Sequence, residues 1–150
     1  HGGIIKDGAK MVNAVANSIV PKFTIITGNS FGAGNYAMCG KAYDPRLIVS
    51  WPWSELAVMG GSQAAKVLVQ IQESTLKKQG KEITTEEHNA LVEKITQNYT
   101  KQTKVEYSAA RIWVDAIINP LDTRKWISAG IEVANNSPIT DKFNLGVIQV

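Results

Sequence analysis

Two glycine-rich turns constrain the fold of this chain more than any other feature, because each joins a strand-like segment to a helix-like segment. The first turn covers residues 28–34, a stretch that contains three glycines. The apolar, β-branched run 22–27 precedes it and lies between Pro21 and Gly28, which predicts a short buried strand. A short helix is predicted to follow over 35–42. The order is therefore strand, glycine turn, helix.

The second turn is the Gly60-Gly61 pair, and it repeats the same order of elements. A strand is predicted over 56–59, and a helix is predicted from Ser62 to about Ile71. Strands that each lead into a helix favour an α/β fold with a largely parallel sheet. In open sheets of this kind, ligands bind where the strands end and the helices begin. The two turns are therefore the first candidates for a ligand site.

The rest of the chain is predicted to add helices and one further strand. Apolar residues at spacings of three and four predict an N-terminal helix over 4–19, which Pro21 ends. The segment 72–104 is rich in Lys, Glu, Gln and Thr and predicts an exposed helical excursion, with Thr84 and Glu87 as a capping box. The remaining predictions are a strand over 46–51 and helices over 108–116 and 122–135, the last with Asp122 as its N-cap.

Composition limits the class of protein and the kind of site. The 150 residues suffice for one domain with a core, and 44% apolar with 19% charged residues is an ordinary globular balance. A net charge of +3 is too weak to indicate nucleic-acid binding, and no apolar run reaches the roughly 18 residues of a membrane span. The single Cys39 excludes an internal disulfide and a Cys-rich zinc site, so no metal is predicted and Cys39 is expected to pack.

The first glycine turn matches the nucleotide-binding motifs poorly. A Walker loop requires Lys followed by Ser or Thr, whereas Lys41 is followed by Ala42. The dinucleotide fingerprint G-x-G-x-x-G begins at Gly32 and Gly34 but meets Ala37 where the third glycine belongs. No acidic residue at the end of a following strand supports that fingerprint. Phosphate binding is therefore the weakest interpretation of this turn.

The same turn contains a serine-nucleophile motif. Residues 28–32 match G-x-S-x-G directly after a predicted strand, with Ser30 in the nucleophile position. Such a serine needs a base, and His88 with either Asp44 or Asp115 would complete a triad. His88 is more simply a polar residue near the start of a solvated helix. A serine hydrolase that uses Ser30 is the alternative enzyme hypothesis.

A third interpretation of the turn uses only the backbone. Consecutive small residues leave their N–H groups unshielded, and a helix N-terminus directs such donors towards one point. Fixed donors stabilise a carbonyl oxygen that gains negative charge during a reaction. This chemistry requires no acid, base or metal side chain, which suits a chain with two His and one Cys. Tight turning without any ligand is the structural alternative for both turns.

A longer run of residues resembles a known family. The segment GNSFGAGNYAMCG at 28–40 is similar to the carboxyltransferase (β) subunits of biotin-dependent acyl-CoA carboxylases. The likeness is greatest to the 3-methylcrotonyl-CoA type, of which the geranyl-CoA type is a near relative. Further motifs follow in family order, namely VMGG at 58–61, SAARIW at 108–113 and NPLDTR at 119–124. The resemblance covers essentially the whole chain.

The resemblance implies a crotonase-like (ClpP/crotonase) α/β fold and a place for the chain in the second of two tandem domains of that kind. Residues 1–150 would then be a C-terminal carboxyltransferase fragment of a longer subunit. The implied reaction transfers CO2 from carboxybiotin to an acyl-CoA such as 3-methylcrotonyl-CoA, with the biotin ureido oxyanion stabilised by this domain. The implied cofactor is biotin, carried by a partner α subunit. Other β subunits, the missing N-terminal domain and acyl-CoA are the further implied partners, with no nucleic acid and no membrane.

The resemblance also implies roles for individual residues. The backbone N–H groups of Ala33 and Gly34 correspond to the family's pair of oxyanion-hole donors. The residues expected to shape the biotin or substrate pocket around them are Phe31, Gly32, Tyr36, Gly60 and Gly61. Four positions depart from the pattern of the methylcrotonyl type and leave the acyl-chain preference open: Ser62, Val114, Ala116 and Asn119.

Two further expectations concern the surroundings of the chain. The resemblance implies the cytoplasm for a bacterial protein, which is our preferred expectation, or the mitochondrial matrix for a eukaryotic one.

Because the active site would be shared with the missing domain, some apolar surface is expected to be an interface. A domain that supports assembly without catalysis is the non-enzyme alternative. The tryptophans are expected to be core or interface anchors: Trp51, Trp53, Trp113 and Trp126.

Overall fold

The computed structural model describes residues 2–80 and 84–137. The helices of this part are α1 (Ile4–Asn17), α2 (Gly32–Ala37), α3 (Gly61–Lys78), α4 (Thr85–Thr103), α5 (Val105–Ala109) and α6 (Thr123–Asn135). The strands are β1 (Phe23–Ile26), β2 (Asn29–Phe31), β3 (Leu47–Ser50), β4 (Glu55–Ala57) and β5 (Ala116–Ile117). Short 3-10 helices cover Lys41–Tyr43 and Pro120–Asp122.

The strands form two parallel sheets, so the predicted α/β architecture is confirmed. One sheet has the strand order β1-β3-β5 and the other pairs β2 with β4. In the larger sheet Phe23 lies opposite Leu47, and in the smaller one Phe31 lies opposite Ala57. The chain leaves the larger sheet after β1 to form β2, and leaves it again after β3 to form β4. This alternation places the ends of β2 and β4 side by side.

The core lies between the two sheets. Ile26 of β1, Ile48 of β3 and Leu56 of β4 pack together with Val114, and each of the four is at most 6% exposed. Because Leu56 belongs to the smaller sheet, this cluster joins the two sheets. Strand β3 is the most buried strand, as its apolar run Leu47-Ile48-Val49 predicts for a central parallel strand.

Helix α1 has the predicted position, but its apolar stripe does not enter this core. No residue of α1 is buried, and the side chains of Ile4 and Ile5 are 79% and 87% exposed. Within the described residues α1 packs against α2. The stripe that predicted the helix is thus left largely uncovered by residues 2–80 and 84–137.

The exposed helical excursion predicted over 72–104 is confirmed as a helical hairpin. Helix α3 continues to Lys78, beyond its predicted end near Ile71, and packs against α4. At the start of α4 the predicted capping box is present, with the Glu87 N–H donating to Thr84 Oγ1 and the Thr84 N–H donating to Glu87 Oε2. These hydrogen bonds lower the pKa of the Glu87 carboxyl below 4.5. His88 Nδ1 lies 2.6 Å from Glu73 Oε1 and links the two helices.

The predicted helix over 108–116 is wrong after its first two residues. Helix α5 ends at Ala109, and Ile112 takes a positive φ of 59°. Asp115 then pairs with β3, since its N–H donates to the Ile48 carbonyl and its Oδ2 accepts from the Ile48 N–H, both at 2.8 Å. Two hydrogen bonds to a buried strand outweigh the local helical pattern and lead the chain into β5.

The last helix is confirmed with the predicted residue at its N-cap. Asp122 occupies the N-cap position of α6 without a side-chain capping hydrogen bond. The preceding 3-10 helix is capped instead by Asn119, whose Oδ1 accepts from the Leu121 N–H at 3.0 Å. On its inner face α6 approaches β1 closely, because a Cβ on Gly130 would lie 2.9 Å from Phe23 Cε1.

The single cysteine is buried, whereas the four tryptophans are not. Cys39 is 7% exposed, so its predicted packing role is confirmed. None of the four tryptophans is buried, and Trp53 is 61% exposed with its Nε1 donating to the Thr27 carbonyl. Trp51 Nε1 donates to Thr123 Oγ1 at 3.0 Å and ties β3 to the start of α6. None of the helices that the structure describes has both the length and the apolar character needed to cross a bilayer.

Candidate functional site

The first glycine turn contains more regular secondary structure than predicted. Instead of a loop over 28–34 and a helix over 35–42, the structure has strand β2 over Asn29–Phe31 and helix α2 over Gly32–Ala37. Pairing with β4 extends β2 up to Phe31, and Gly32 then reverses the backbone with a φ of 55°. That left-handed conformation is readily available only to glycine. The helix can therefore begin directly at the end of the strand.

The backbone donors predicted for this turn lie in the first turn of α2. Ala33 and Gly34 are its second and third residues, where N–H groups have no acceptor within the helix. Phe31, at the N-cap, contributes no side-chain capping hydrogen bond. Both donor residues are exposed. This placement leaves two consecutive amides able to bind an acceptor from outside the helix.

The start of α2 is in close contact with the end of β4. A Cβ on Gly32 would lie 2.7 Å from the Val58 carbonyl oxygen, closer than real Cβ atoms approach. Val58 directly follows Ala57, the residue that pairs with Phe31. Two parallel strands thus deliver a glycine and a backbone carbonyl to the same point, and no larger residue fits between them.

A cavity of about 460 Å³ opens beside this contact. Its size is within the range of small-molecule sites. Most of its wall is apolar or aromatic, with a few polar groups. The lining residues are Gly32, Asn35, Tyr36, Gly40, Lys41, Ala42, Ile48, Leu56, Ala57, Val58, Tyr99, Gln102, Thr103, Tyr107 and Trp113. Ala33 and Gly34 do not line the cavity, but in the sequence they lie between Gly32 and Asn35, which do.

The structure brings together only part of the predicted pocket set. Gly32 and Tyr36 line the cavity, and the ring of Tyr36 is 54% exposed. Phe31, Gly60 and Gly61 lie outside the lining, although a Cβ on Gly60 would lie 3.9 Å from Phe31 Cε2. Gly60 is the N-cap of α3 and Gly61 is its first residue, as the second turn predicts. The two glycine turns are neighbours, with Phe31 between them.

The sequence did not indicate the aromatic wall of the cavity. Trp113 was expected only as a core or interface anchor, and no role in a site was predicted for Tyr99 or Tyr107. Tyr107 and Trp113 meet edge to face, with ring centroids 6.0 Å apart, and Arg111 lies over the Tyr107 ring. Their only signal in the sequence is their aromatic character, because their positions depend on how α4 and α5 pack on β4.

Charge at the cavity is partly neutralised. Lys41 is the positively charged residue among the lining residues, and its Nζ lies 3.6 Å from Asp115 Oδ1. Asp115 is also held by its hydrogen bonds to Ile48. Over residues 2–80 and 84–137 no group of three or more His, Cys, Asp or Glu side chains is placed to hold a metal ion.

The residues of the alternative serine triad are not brought together. Ser30 Oγ donates to Asn35 Oδ1 at 3.2 Å, within the β2–α2 turn. His88 pairs with Glu73 in the helical hairpin, and Asp115 pairs with Lys41 and Ile48. Asp44 is exposed at the end of the first 3-10 helix. Among the residues that the structure describes, none of the proposed triad partners serves Ser30 as a base, and the serine hydrolase hypothesis has no support.

Comparison with known proteins identifies the family to which this arrangement of strands and turns belongs. The carboxyl transferase domain family matches residues 1–145. This chain belongs to that family. The family resemblance drawn from the glycine-turn motifs is therefore confirmed.

Individual relatives agree with this assignment. The methylcrotonoyl-CoA carboxylase beta chain of Arabidopsis thaliana is 50% identical over 139 residues, which cover 93% of this chain and 24% of the relative. The beta subunit of geranyl-CoA carboxylase from P. aeruginosa is 40% identical, with a TM-score of 0.75 over 97% of this chain and 27% of that chain. The transcarboxylase 12S structure, described as a hexamer assembly, is 29% identical with a TM-score of 0.75 over the same fractions.

These likenesses establish the fold and the family of the domain. The fold is the crotonase-like α/β fold of carboxyltransferase domains, as the resemblance implied. Other members of the family work with biotin-carrying subunits and form oligomers. The chain spans about a quarter of the length of the relatives that it matches.

Proposed function

We propose that this chain forms the biotin-facing side of the carboxyltransferase site in a biotin-dependent acyl-CoA carboxylase. We propose further that the parent enzyme carboxylates 3-methylcrotonyl-CoA or a similar acyl-CoA. Support for the substrate class comes from relatives named methylcrotonoyl-CoA and geranyl-CoA carboxylase. In this proposal the chain belongs to the second of two crotonase-like domains, and the first domain binds most of the acyl-CoA.

The observation that carries the proposal is the pair of amides in the first turn of α2, which have no acceptor within the helix and lie next to the cavity. Biotin, when brought by a partner subunit, would supply a transferable carboxyl group on a ureido ring whose oxygen would need hydrogen-bond donors. A planar, largely apolar ring with one polar edge fits a cavity with aromatic walls and nearby N–H donors. Gly32 and Tyr36 would contact the ring from the cavity wall, with Phe31, Gly60 and Gly61 behind them.

In this proposal the N–H groups of Ala33 and Gly34 donate hydrogen bonds to the oxygen that carries the negative charge. Their N–H groups are fixed by the backbone before the reaction, so they need no reorganisation as charge develops. In this proposal the described residues act on this step through backbone amides and not through a side-chain acid or base. The role of the chain is to orient the carrier, exclude water and stabilise an anion.

The proposal extends to partners and compartment. The partners are a biotin-carrying α subunit, further β subunits and the N-terminal carboxyltransferase domain. A bacterial parent would act in the cytoplasm and a eukaryotic one in the mitochondrial matrix. The A. thaliana relative is named as mitochondrial.

The test deletes one donor in the full-length subunit that contains this chain, assembled with its biotin-carrying partner. Gly34→Pro removes the N–H at a position where the helix does not use it. Gly34→Ala is the matched control, because it retains the N–H and its Cβ would meet nothing within 4 Å. We expect kcat for carboxylation to be about 100-fold lower in Gly34→Pro than in Gly34→Ala.

The substrate is identified in the same assay with a panel of acyl-CoA thioesters. A preference for a branched, unsaturated thioester supports the methylcrotonyl assignment. Equal kcat in the two Gly34 variants, with intact assembly by size-exclusion chromatography, would refute the donor role. That result would favour the alternative of a domain that supports assembly alone.

A further inference from the structure

Tyr99 makes a pair of hydrogen bonds to a single residue, Met59, which directly follows Val58 of the cavity wall. Its Oη donates to the Met59 carbonyl at 3.0 Å and accepts from the Met59 N–H at 3.3 Å. Met59 lies just beyond β4, where the pairing with β2 has ended at Ala57. A tyrosine 40 residues away in the sequence therefore supplies the partners that a neighbouring strand would otherwise give to Met59.

The segment held by Tyr99 is the one that contacts α2. Val58 precedes Met59, and its carbonyl oxygen occupies the space in which a Gly32 Cβ would lie. Tyr99, Val58 and Gly32 all line the cavity, so they form one continuous part of its wall. The ring of Tyr99 also packs near Gly61, whose Cβ would lie 3.8 Å from Tyr99 Cδ1.

Gly32 in turn precedes the two donor amides. Each peptide unit is planar and rigid, so a rotation or shift at Gly32 reorients the N–H groups of Ala33 and Gly34. Donors of this kind are effective only when they point at the place where charge develops. The position of the Val58 carbonyl is therefore coupled to the direction of both amides.

We propose that Tyr99 is a positioning residue for the donor pair: its hydroxyl holds the Val58–Met59 backbone against Gly32, and this contact sets the direction of the Ala33 and Gly34 amides. The inference rests on the proposed function of those amides. Tyr99 itself touches neither donor.

The test compares Tyr99→Phe with Tyr43→Phe in the full-length subunit, assembled with its biotin-carrying partner. Tyr99→Phe keeps the ring and removes only the hydroxyl. Tyr43→Phe removes a hydroxyl that makes no hydrogen bond within residues 2–80 and 84–137, from a ring outside the cavity lining. The readouts are kcat and KM for acyl-CoA, together with hydrogen–deuterium exchange of the peptides that contain residues 57–61 and 31–35.

A 1 Å misplacement of reacting groups costs about 100-fold in rate. Loss of one hydroxyl should move the donor amides by less than that, so we expect Tyr99→Phe to lower kcat about tenfold. KM for acyl-CoA should stay within about twofold, since only an interaction of the transition state is weakened. Amide exchange over 57–61 and 31–35 should rise at least about threefold, reporting local opening. Tyr43→Phe should leave all of these quantities unchanged.

A double-mutant cycle separates positioning from a general structural role. Added to Gly34→Pro, Tyr99→Phe should cost about threefold or less, because one of the donors that it positions is already absent. Full multiplication of the two losses, or a Tyr99→Phe enzyme with unchanged kcat and exchange, would overturn the proposal. If Gly34→Pro itself leaves kcat equal to that of Gly34→Ala, the donor function fails instead, whatever Tyr99→Phe does.

Discussion

Replacing Gly32 by alanine tests the contact on which the geometry of the site depends. The new Cβ would lie 2.7 Å from the Val58 carbonyl oxygen, whereas ordinary contact begins at 3.4 Å. The two groups must therefore separate by about 0.7 Å. The neighbour is backbone, held by the Phe31–Ala57 pairing on one side and by Tyr99 on the other, so it cannot move aside cheaply.

Gly32→Ala has two costs in stability, one from the backbone conformation and one from the close contact. A non-glycine residue in the left-handed region costs about 1–2 kcal/mol, and overpacking of a rigid contact costs about 1–3 kcal/mol. A shift of α2 by about 0.7 Å is close to the 1 Å misplacement that costs about 100-fold in rate. We therefore expect kcat for carboxylation to fall about 30- to 100-fold in Gly32→Ala, with a smaller change in KM.

The assay is steady-state carboxylation by the full-length subunit with its biotin-carrying partner. Gly28→Ala is the control, because it adds the same methyl group four residues earlier, where no atom lies within 4 Å. The control should keep kcat within about twofold. A Gly32→Ala enzyme that assembles normally and retains kcat within threefold would show that the Val58 contact does not set the donor geometry.

Two further predictions concern stability. Gly130→Ala brings a Cβ to 2.9 Å from Phe23 Cε1, so it should destabilise the packing of α6 on β1 by about 1–3 kcal/mol and lower the melting temperature in a thermal denaturation. The lowered pKa of Glu87 means that its capping contribution is complete above pH 4.5 and is lost as the pH falls below it. A peptide of residues 84–103 should therefore lose helicity in circular dichroism on acidification, and Thr84→Ala should reduce that loss. A Gly130→Ala protein with the melting temperature of the parent would contradict the first prediction. Equal pH profiles of helicity for the parent and Thr84→Ala peptides would contradict the second.

Elements with strong local signals were predictable. The helix 4–19, the capping box at Thr84 and the strand over 46–51 each depend on apolar periodicity, capping chemistry or β-branched composition, which act over a few residues. Their bounds in the structure differ from prediction by a few residues at most. The segment 108–116 failed because a distant strand competes for its backbone hydrogen bonds, through Asp115.

The candidate site was predicted in part. The donor pair Ala33 and Gly34 was placed by motif, and the structure puts both residues in the first turn of a helix, though one that begins earlier than expected. The cavity beside them was not predictable. Its walls come from α2, β4, α4 and α5, and periodicity in one segment says nothing about which other segment will cover it.

Although it did not indicate β2 or β5, the sequence by itself determined the other strands, the two glycine turns and most of the helices, and with them the parallel α/β fold and the family. It did so because short-range signals and long motifs are written in consecutive residues. Only the tertiary structure decided that Val58 meets Gly32, that Tyr99 holds Met59, and that an aromatic cavity lies beside the Ala33 and Gly34 amides. Those contacts join residues tens of positions apart, and they arise from strand pairing and helix packing that no local pattern specifies.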